Sequence, residues 1–63
     1  MPHKTGERIE LEKEVPHCRL LGVKPGFYEV MIGDYGWDDG DLYIDTNKGK
    51  VKLRDLGWYR RGV

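Results

Sequence analysis

Asp41-Leu42-Tyr43-Ile44-Asp45-Thr46-Asn47-Lys48-Gly49-Lys50-Val51-Lys52-Leu53-Arg54 is the stretch on which the fold turns. A loop at Thr46-Asn47-Lys48-Gly49 sets Asp45 opposite Lys50, Ile44 opposite Val51, Tyr43 opposite Lys52, Leu42 opposite Leu53 and Asp41 opposite Arg54. Apolar then meets apolar on one face, and acid meets base on the other at Asp45–Lys50 and Asp41–Arg54. Each such cross-strand pair contributes roughly 0.2–1 kcal/mol. Gly49 supplies the left-handed backbone that short hairpin loops often require. The spacing therefore predicts a β-hairpin with a defined register.

Working towards the N-terminus, Gly33-Asp34-Tyr35-Gly36-Trp37-Asp38-Asp39-Gly40 is too rich in Gly and Asp for regular structure and reads as an exposed loop. Before it, Phe27–Ile32 is the most apolar run. Tyr28, Val30 and Ile32 share one face and Phe27, Glu29 and Met31 the other, which predicts the central strand. The turn dipeptide Pro25-Gly26 precedes it. Arg8–Val15 alternates, with Ile9, Leu11 and Val15 on one side and Arg8, Glu10, Glu12 and Glu14 on the other, and reads as a half-buried strand that Pro16 ends. Cys18–Val23 forms a further apolar stretch, and residues 1–6 read as a flexible terminus. On the C-terminal side the chain leaves through Leu56, Gly57 and Trp58-Tyr59-Arg60-Arg61.

Five short strands predict an all-β domain spanning 1–63: a strongly bent antiparallel five-stranded sheet, or that sheet closed into a small SH3-like barrel, which would remove exposed edges. The segment Val30-Met31-Ile32-Gly33, the turn with Gly40 and then Leu42-Tyr43-Ile44 resembles strand-loop-strand segments of SH3-like and KOW-type modules. The proline-motif-binding signature of SH3 domains is not found at its expected place.

Composition narrows the function classes. At 63 residues, folding buries only about 60% of the surface the unfolded chain exposes. The single Cys18 cannot form an intramolecular disulfide. The chain lacks Ala and Gln and carries nine Gly and three Pro, which argues against long helices. It also lacks Ser, which removes the usual Ser-His-Asp machinery. Carboxylates are plentiful but lie in loops or opposite bases, and a domain of this size seldom encloses the pocket that acid-base catalysis needs, so no enzymatic role is expected. With no apolar leader after Met1-Pro2-His3-Lys4 and no apolar run of spanning length, the chain reads as a soluble cytoplasmic protein without a membrane partner.

Metal and cofactor chemistry find little footing. Aligning Gly40 with the invariant glycine of an EF-hand places Tyr35, Trp37 and Asp39 at the first three ligand positions, which fails the pattern. His3, His17 and Cys18 are too few for a closed tetrahedral site. Cys18 reads as a core residue, because free Cys is among the most buried types. No cofactor is expected.

Charge and aromatic clusters suggest binding. Glu29, Asp34, Asp38, Asp39, Asp41 and Asp45 carry six negative charges with no base between them, whereas the segment after Asp45 is basic. The hairpin register sets much of this charge face to face, leaving Asp34, Asp38, Asp39, Arg60 and Arg61 outside it. The first candidate site is the acidic aromatic loop 34–41. There Asp34, Tyr35, Trp37, Asp38 and Asp39 would engage a basic protein surface, with Trp37 as anchor. The alternative is nucleic acid held by Trp58, Tyr59, Arg60 and Arg61 with Lys48, Lys50 and Lys52, as stacking platforms beside cations do. A third reading is a homodimer or other homo-oligomer paired through strand edges. A core with little Phe also calls for Trp58 and one of Tyr35 or Trp37 to fill it.

Overall fold

A computed structural model describes residues 3–36 and 39–62. The strands are β1 (His3–Leu11), β2 (Gly26–Ile32), β3 (Leu42–Thr46), β4 (Gly49–Lys52) and β5 (Arg60–Gly62), with short helices α1 (Pro16–Leu21) and α2 (Leu53–Leu56). All five strands form one antiparallel sheet in the order β4-β3-β2-β1-β5. Of the two architectures the sequence allows, the open bent sheet is the one formed. β2 lies at its centre, as predicted, while β4 and β5 remain edges.

The β3–β4 register matches the sequence reading at Tyr43↔Lys52, Ile44↔Val51 and Asp45↔Lys50, and it runs one pair further, Thr46↔Gly49, into the four residues read as loop. Thr46 closes the turn, its hydroxyl donating to the Gly49 carbonyl at 2.8 Å and accepting from the Lys48 amide at 3.0 Å. The ladder stops at Lys52, so Leu42 and Leu53 are not strand partners. Leu53 instead opens α2, whose single turn brings Leu53 and Leu56 onto one side, both buried.

The N-terminal third differs most from expectation. β1 starts at His3, inside the segment read as a flexible terminus, and ends at Leu11 rather than Val15. Between Lys4↔Met31 and Arg8↔Glu29 it carries a bulge. Thr5 satisfies the bulge, donating its hydroxyl to the Val30 carbonyl and accepting the Glu7 amide. The apolar stretch after Pro16 is a helix, not a strand. Pro16 sits at its first turn with φ preset for a helix, and Gly22 caps it in the left-handed conformation at φ +79°.

Side-chain alternation puts Ile9, Leu11, Val30 and Ile44 on one face of the sheet. Val15, Val23, Leu53 and Leu56 from the connections close over them as the core. Cys18, Tyr28, Val51 and Tyr59 pack at its margin. The opposite face holds a surprise. Tyr43, placed by the hairpin pattern on the polar side, is fully buried there, with Lys50 Nζ 4.9 Å from its ring centroid and Lys52 only 8% exposed beside it. The Lys50 ammonium lies over the ring, and the Lys52 ammonium is taken up by Asp41. Trp58 at 47% and Tyr35 at 73% exposure do not fill the core. Tyr28 and Tyr59 are the aromatics packed against the core, and Trp37, the other candidate for it, lies outside the described residues.

Candidate interaction site

The β2–β3 connection is pinned at its mouth by one residue. The buried Gly33 donates its amide to the Asp41 carbonyl and accepts the Gly40 amide, each at 2.9 Å. Gly40 takes φ +76° to present that amide, a conformation that excludes most side chains. Inside the loop the Asp39 amide reaches the Gly36 carbonyl at 3.3 Å. These bonds join the two ends of the loop, and Tyr35 is exposed to solvent.

Asp41 fastens the same end of the loop through its side chain. Its Oδ2 accepts from Lys52 Nζ at 2.8 Å and lies 3.5 Å from Arg54 Nη2. The sequence paired Asp41 with Arg54, and the pair forms, although Arg54 reaches it from α2 rather than from a continued strand. The Lys52 hydrogen bond, helped by the Arg54 charge against a desolvation that opposes it, holds the Asp41 carboxyl below its ordinary value of 3.8. A depressed carboxyl adds stability that is complete above that ordinary value and is lost as the pH falls through the lower folded one. Acid therefore loosens this end of the sheet.

Beside the clasp lies a cavity of about 250 Å³ walled by Gly40, Asp41, Leu42, Leu53 and Arg54. Ile32 and Leu42 are register partners on β2 and β3, and both remain 38% exposed at the same end of the core face. Leu42, which the hairpin pattern placed in an apolar ladder pair with Leu53, instead shares this cavity wall with it. Of the loop residues singled out in sequence, Asp34, Tyr35 and Asp39 are exposed around this end of the sheet. Trp37 and Asp38 lie outside the described residues. Ile32, Leu42 and Leu53 were missed as site residues. Their apolar character reads as core; Ile32 and Leu42 are left partly exposed at this end of the sheet, and the buried Leu53 meets only the cavity.

The alternative cationic set is divided. β4 and β5 are opposite edges of the sheet, so Lys48, Lys50 and Lys52 are separated in strand order from Arg60 and Arg61. Arg60 and Arg61, expected to lie outside any pairing, are held by Glu12 and Glu7, the latter at 2.8 Å. Both carboxylates belong to β1 or the residue following it. Lys52 is bonded to Asp41, Lys50 covers Tyr43, and Lys48 runs alongside Gly22. Trp58 is half-exposed, whereas Tyr59 packs on the core.

Cys18 packs against the core margin, and burial raises its thiol pKa. Among the described residues no group of three His, Cys, Asp or Glu side chains is assembled around a metal position, and no helix is long and apolar enough to cross a membrane. Compared with family models, with curated proteins and with solved structures, the chain matches none.

Proposed function

We propose that the protein is a non-catalytic protein-interaction module, an accessory or modulator domain acting in the cytoplasm. It engages a basic partner surface through the loop 34–41. One observation carries the reading: the exposed Ile32 and Leu42 are register partners at the end of the sheet where the loop bearing exposed Tyr35 and Asp39 leaves and returns, and Leu42 also walls a cavity with Leu53. Large apolar side chains left accessible next to a concave site are the usual composition of a binding hot spot, and acids around them favour encounter with a basic partner. The backbone clamp at Gly33 supports the same reading, because ends of the loop that are already fixed lose little entropy when a partner binds.

The test is comparative capture from cell extract on immobilised wild-type chain and on Tyr35→Ala and Asp39→Lys. A partner should be retained by the wild type and lost with Tyr35→Ala while thermal unfolding is unchanged. With Asp39→Lys, affinity should fall about tenfold at low salt, the gap narrowing as salt rises. Equal capture by all three chains would remove the loop from consideration. The nucleic-acid alternative draws less support, because Arg60 and Arg61 are engaged by carboxylates and its lysines lie on the opposite edge. Steeply salt-dependent binding of a single-stranded oligonucleotide, with signals moving at Trp58, would put it in front.

A further inference from the structure

Leu20 and Leu21 are the most exposed large aliphatic side chains among the described residues, at 68% and 60%. They end α1, while Val15, Cys18 and Val23 on its inner side face the core. Exposure of that order means the two side chains project from the surface rather than line a groove. The chain reversal that follows them has its backbone bonds made. The Val23 amide donates to the His17 carbonyl at 3.1 Å, the Lys24 amide donates to the Asn47 side chain, and that side chain donates in turn to the Gly22 carbonyl. An apolar medium can therefore cover this corner without stranding those polar groups.

The corner lies at the opposite end of β3 from the loop 34–41, beside the β3–β4 turn. Its charge is positive once every pairing is counted. Glu12 is held by Arg60, and Asp45 faces Lys50 in the ladder. Lys13 and Glu14 are neighbours in the turn before α1 and offset one another. Arg19, Lys24 and Lys48 remain. All three are exposed, and among the described residues none has a carboxylate at ion-pair distance. Arg19 directly precedes the leucines, and Lys48 runs along Gly22, its Cε 3.3 Å from where a Cβ there would lie.

We infer that this corner docks on an anionic lipid bilayer, with Leu20 and Leu21 entering the boundary between headgroups and acyl chains and Arg19, Lys24 and Lys48 meeting the lipid anions. A bilayer is favoured over a protein because projecting side chains call for a medium that opens around them, which a fluid interface does without a preformed groove. Cations beside an inserted apolar group are also the composition of interfacial attachment. No described helix is long and apolar enough to cross a membrane, so the contact is one of surface attachment, on which the lack of a leader or spanning run in the sequence has no bearing. It uses neither the loop 34–41 nor the cavity beside it.

The experiment is co-sedimentation of the full chain with vesicles of phosphatidylcholine alone and of equal parts phosphatidylcholine and phosphatidylserine. At low ionic strength, partition onto the mixed vesicles should exceed that onto the neutral ones on the order of a hundredfold, and added salt should narrow the gap. Leu20→Glu with Leu21→Glu should lower partition onto the mixed vesicles about tenfold or more. Lys24→Gln with Lys48→Gln should lower it on the order of tenfold. Both pairs change exposed side chains, and unaltered thermal melts confirm the fold; if the leucine pair melts early, the lysine pair and the lipid comparison still decide. Equal partition onto the two vesicles, or partition that neither pair of substitutions reduces, overturns the inference. So does failure to bind either vesicle, and poly-glutamate shifting the Lys24 and Lys48 amides would then make an acidic protein the occupant. Leu20 and Leu21 methyl signals that move with protein concentration alone would make it a second copy and equally overturn the inference. None of these results touches the capture comparison by which the loop is decided.

Discussion

The β3–β4 hairpin and the connection from Glu12 to Pro25 are both stretches of mixed apolar and charged residues, yet only the first folds as its pattern reads. In the hairpin, partners are a few residues apart and the closing turn is four residues, so cross-strand pairing is settled locally and any slip would turn every side chain to the wrong face. In the connection, nothing local pairs with Val15, Cys18 or Val23. They reach the core only because Pro16 and Gly22 bracket one short helix that folds over it. The lesson is that alternation predicts a strand only where a partner strand lies within reach. Without one, start and stop residues decide.

The two regions are also tied together. Asn47, in the hairpin turn, accepts the Lys24 amide at 2.8 Å and donates to the Gly22 carbonyl at 3.1 Å. The locally determined element thus holds the end of the other one. Substitutions can separate what each contributes.

The largest effect belongs to the hairpin side of the core. Ile44→Ala should cost about 2–5 kcal/mol. Against the roughly 3–9 kcal/mol expected in total for a chain of 63 residues, that removes a large share of the stability. Urea denaturation followed by tryptophan fluorescence measures it, and a loss under about 1 kcal/mol would mean the hairpin is not the centre of stability.

Next comes the link itself. Asn47→Ala should destabilise by about 1–2 kcal/mol, since it removes two hydrogen bonds between segments. Amide hydrogen exchange should speed up chiefly at Lys24 and around Gly22. Uniform acceleration across the sheet would instead show that the connection has no separate stability.

Gly22→Ala should cost about 1 kcal/mol, because an alanine at φ +79° is strained and its Cβ would lie 3.3 Å from Lys48 Cε. The lysine end can swing away, so strain rather than collision sets the size. A neutral result would mean the helix cap relaxes at no cost. Smallest is Leu20→Ala, on the exposed side of α1, which should shift the unfolding midpoint by no more than about 0.5 kcal/mol. A larger loss would place Leu20 against something that covers it in solution.

These contrasts also mark what could be read beforehand. The all-β class, the central strand 27–32, the hairpin register and the glycine-rich acidic loop were legible, because alternation and turn chemistry act over a few residues. Helix α1 was missed although Pro16 and Gly22 are its start and stop signals, since the apolar run between them resembles a buried strand. Tyr43 was assigned to a solvated face, and its burial depends on Lys50 lying over its ring and Lys52 beside it. Asn47 reads as a turn residue, and nothing near it in sequence reveals that its amide ties down Gly22 and Lys24. At the candidate site Asp34, Tyr35 and Asp39 were visible as exposed groups. The cavity was not, because it exists only where β4 gives way to α2 at Lys52.

That the sheet stays open has a consequence for how copies of the chain meet. Its two edge strands carry basic residues, Lys50 and Lys52 on β4 and Arg60 and Arg61 on β5, and Lys52, Arg60 and Arg61 each hold a carboxylate of their own chain. Laying one β4 antiparallel on another about Val51 would bring Lys50 of each chain against Lys52 of the other, and like charges directly opposite weaken such a ladder. Cationic edges of this kind are a recognised guard against edge-to-edge aggregation. Concentrated solutions should therefore stay clear at low ionic strength and begin to cloud when added salt screens the lysines.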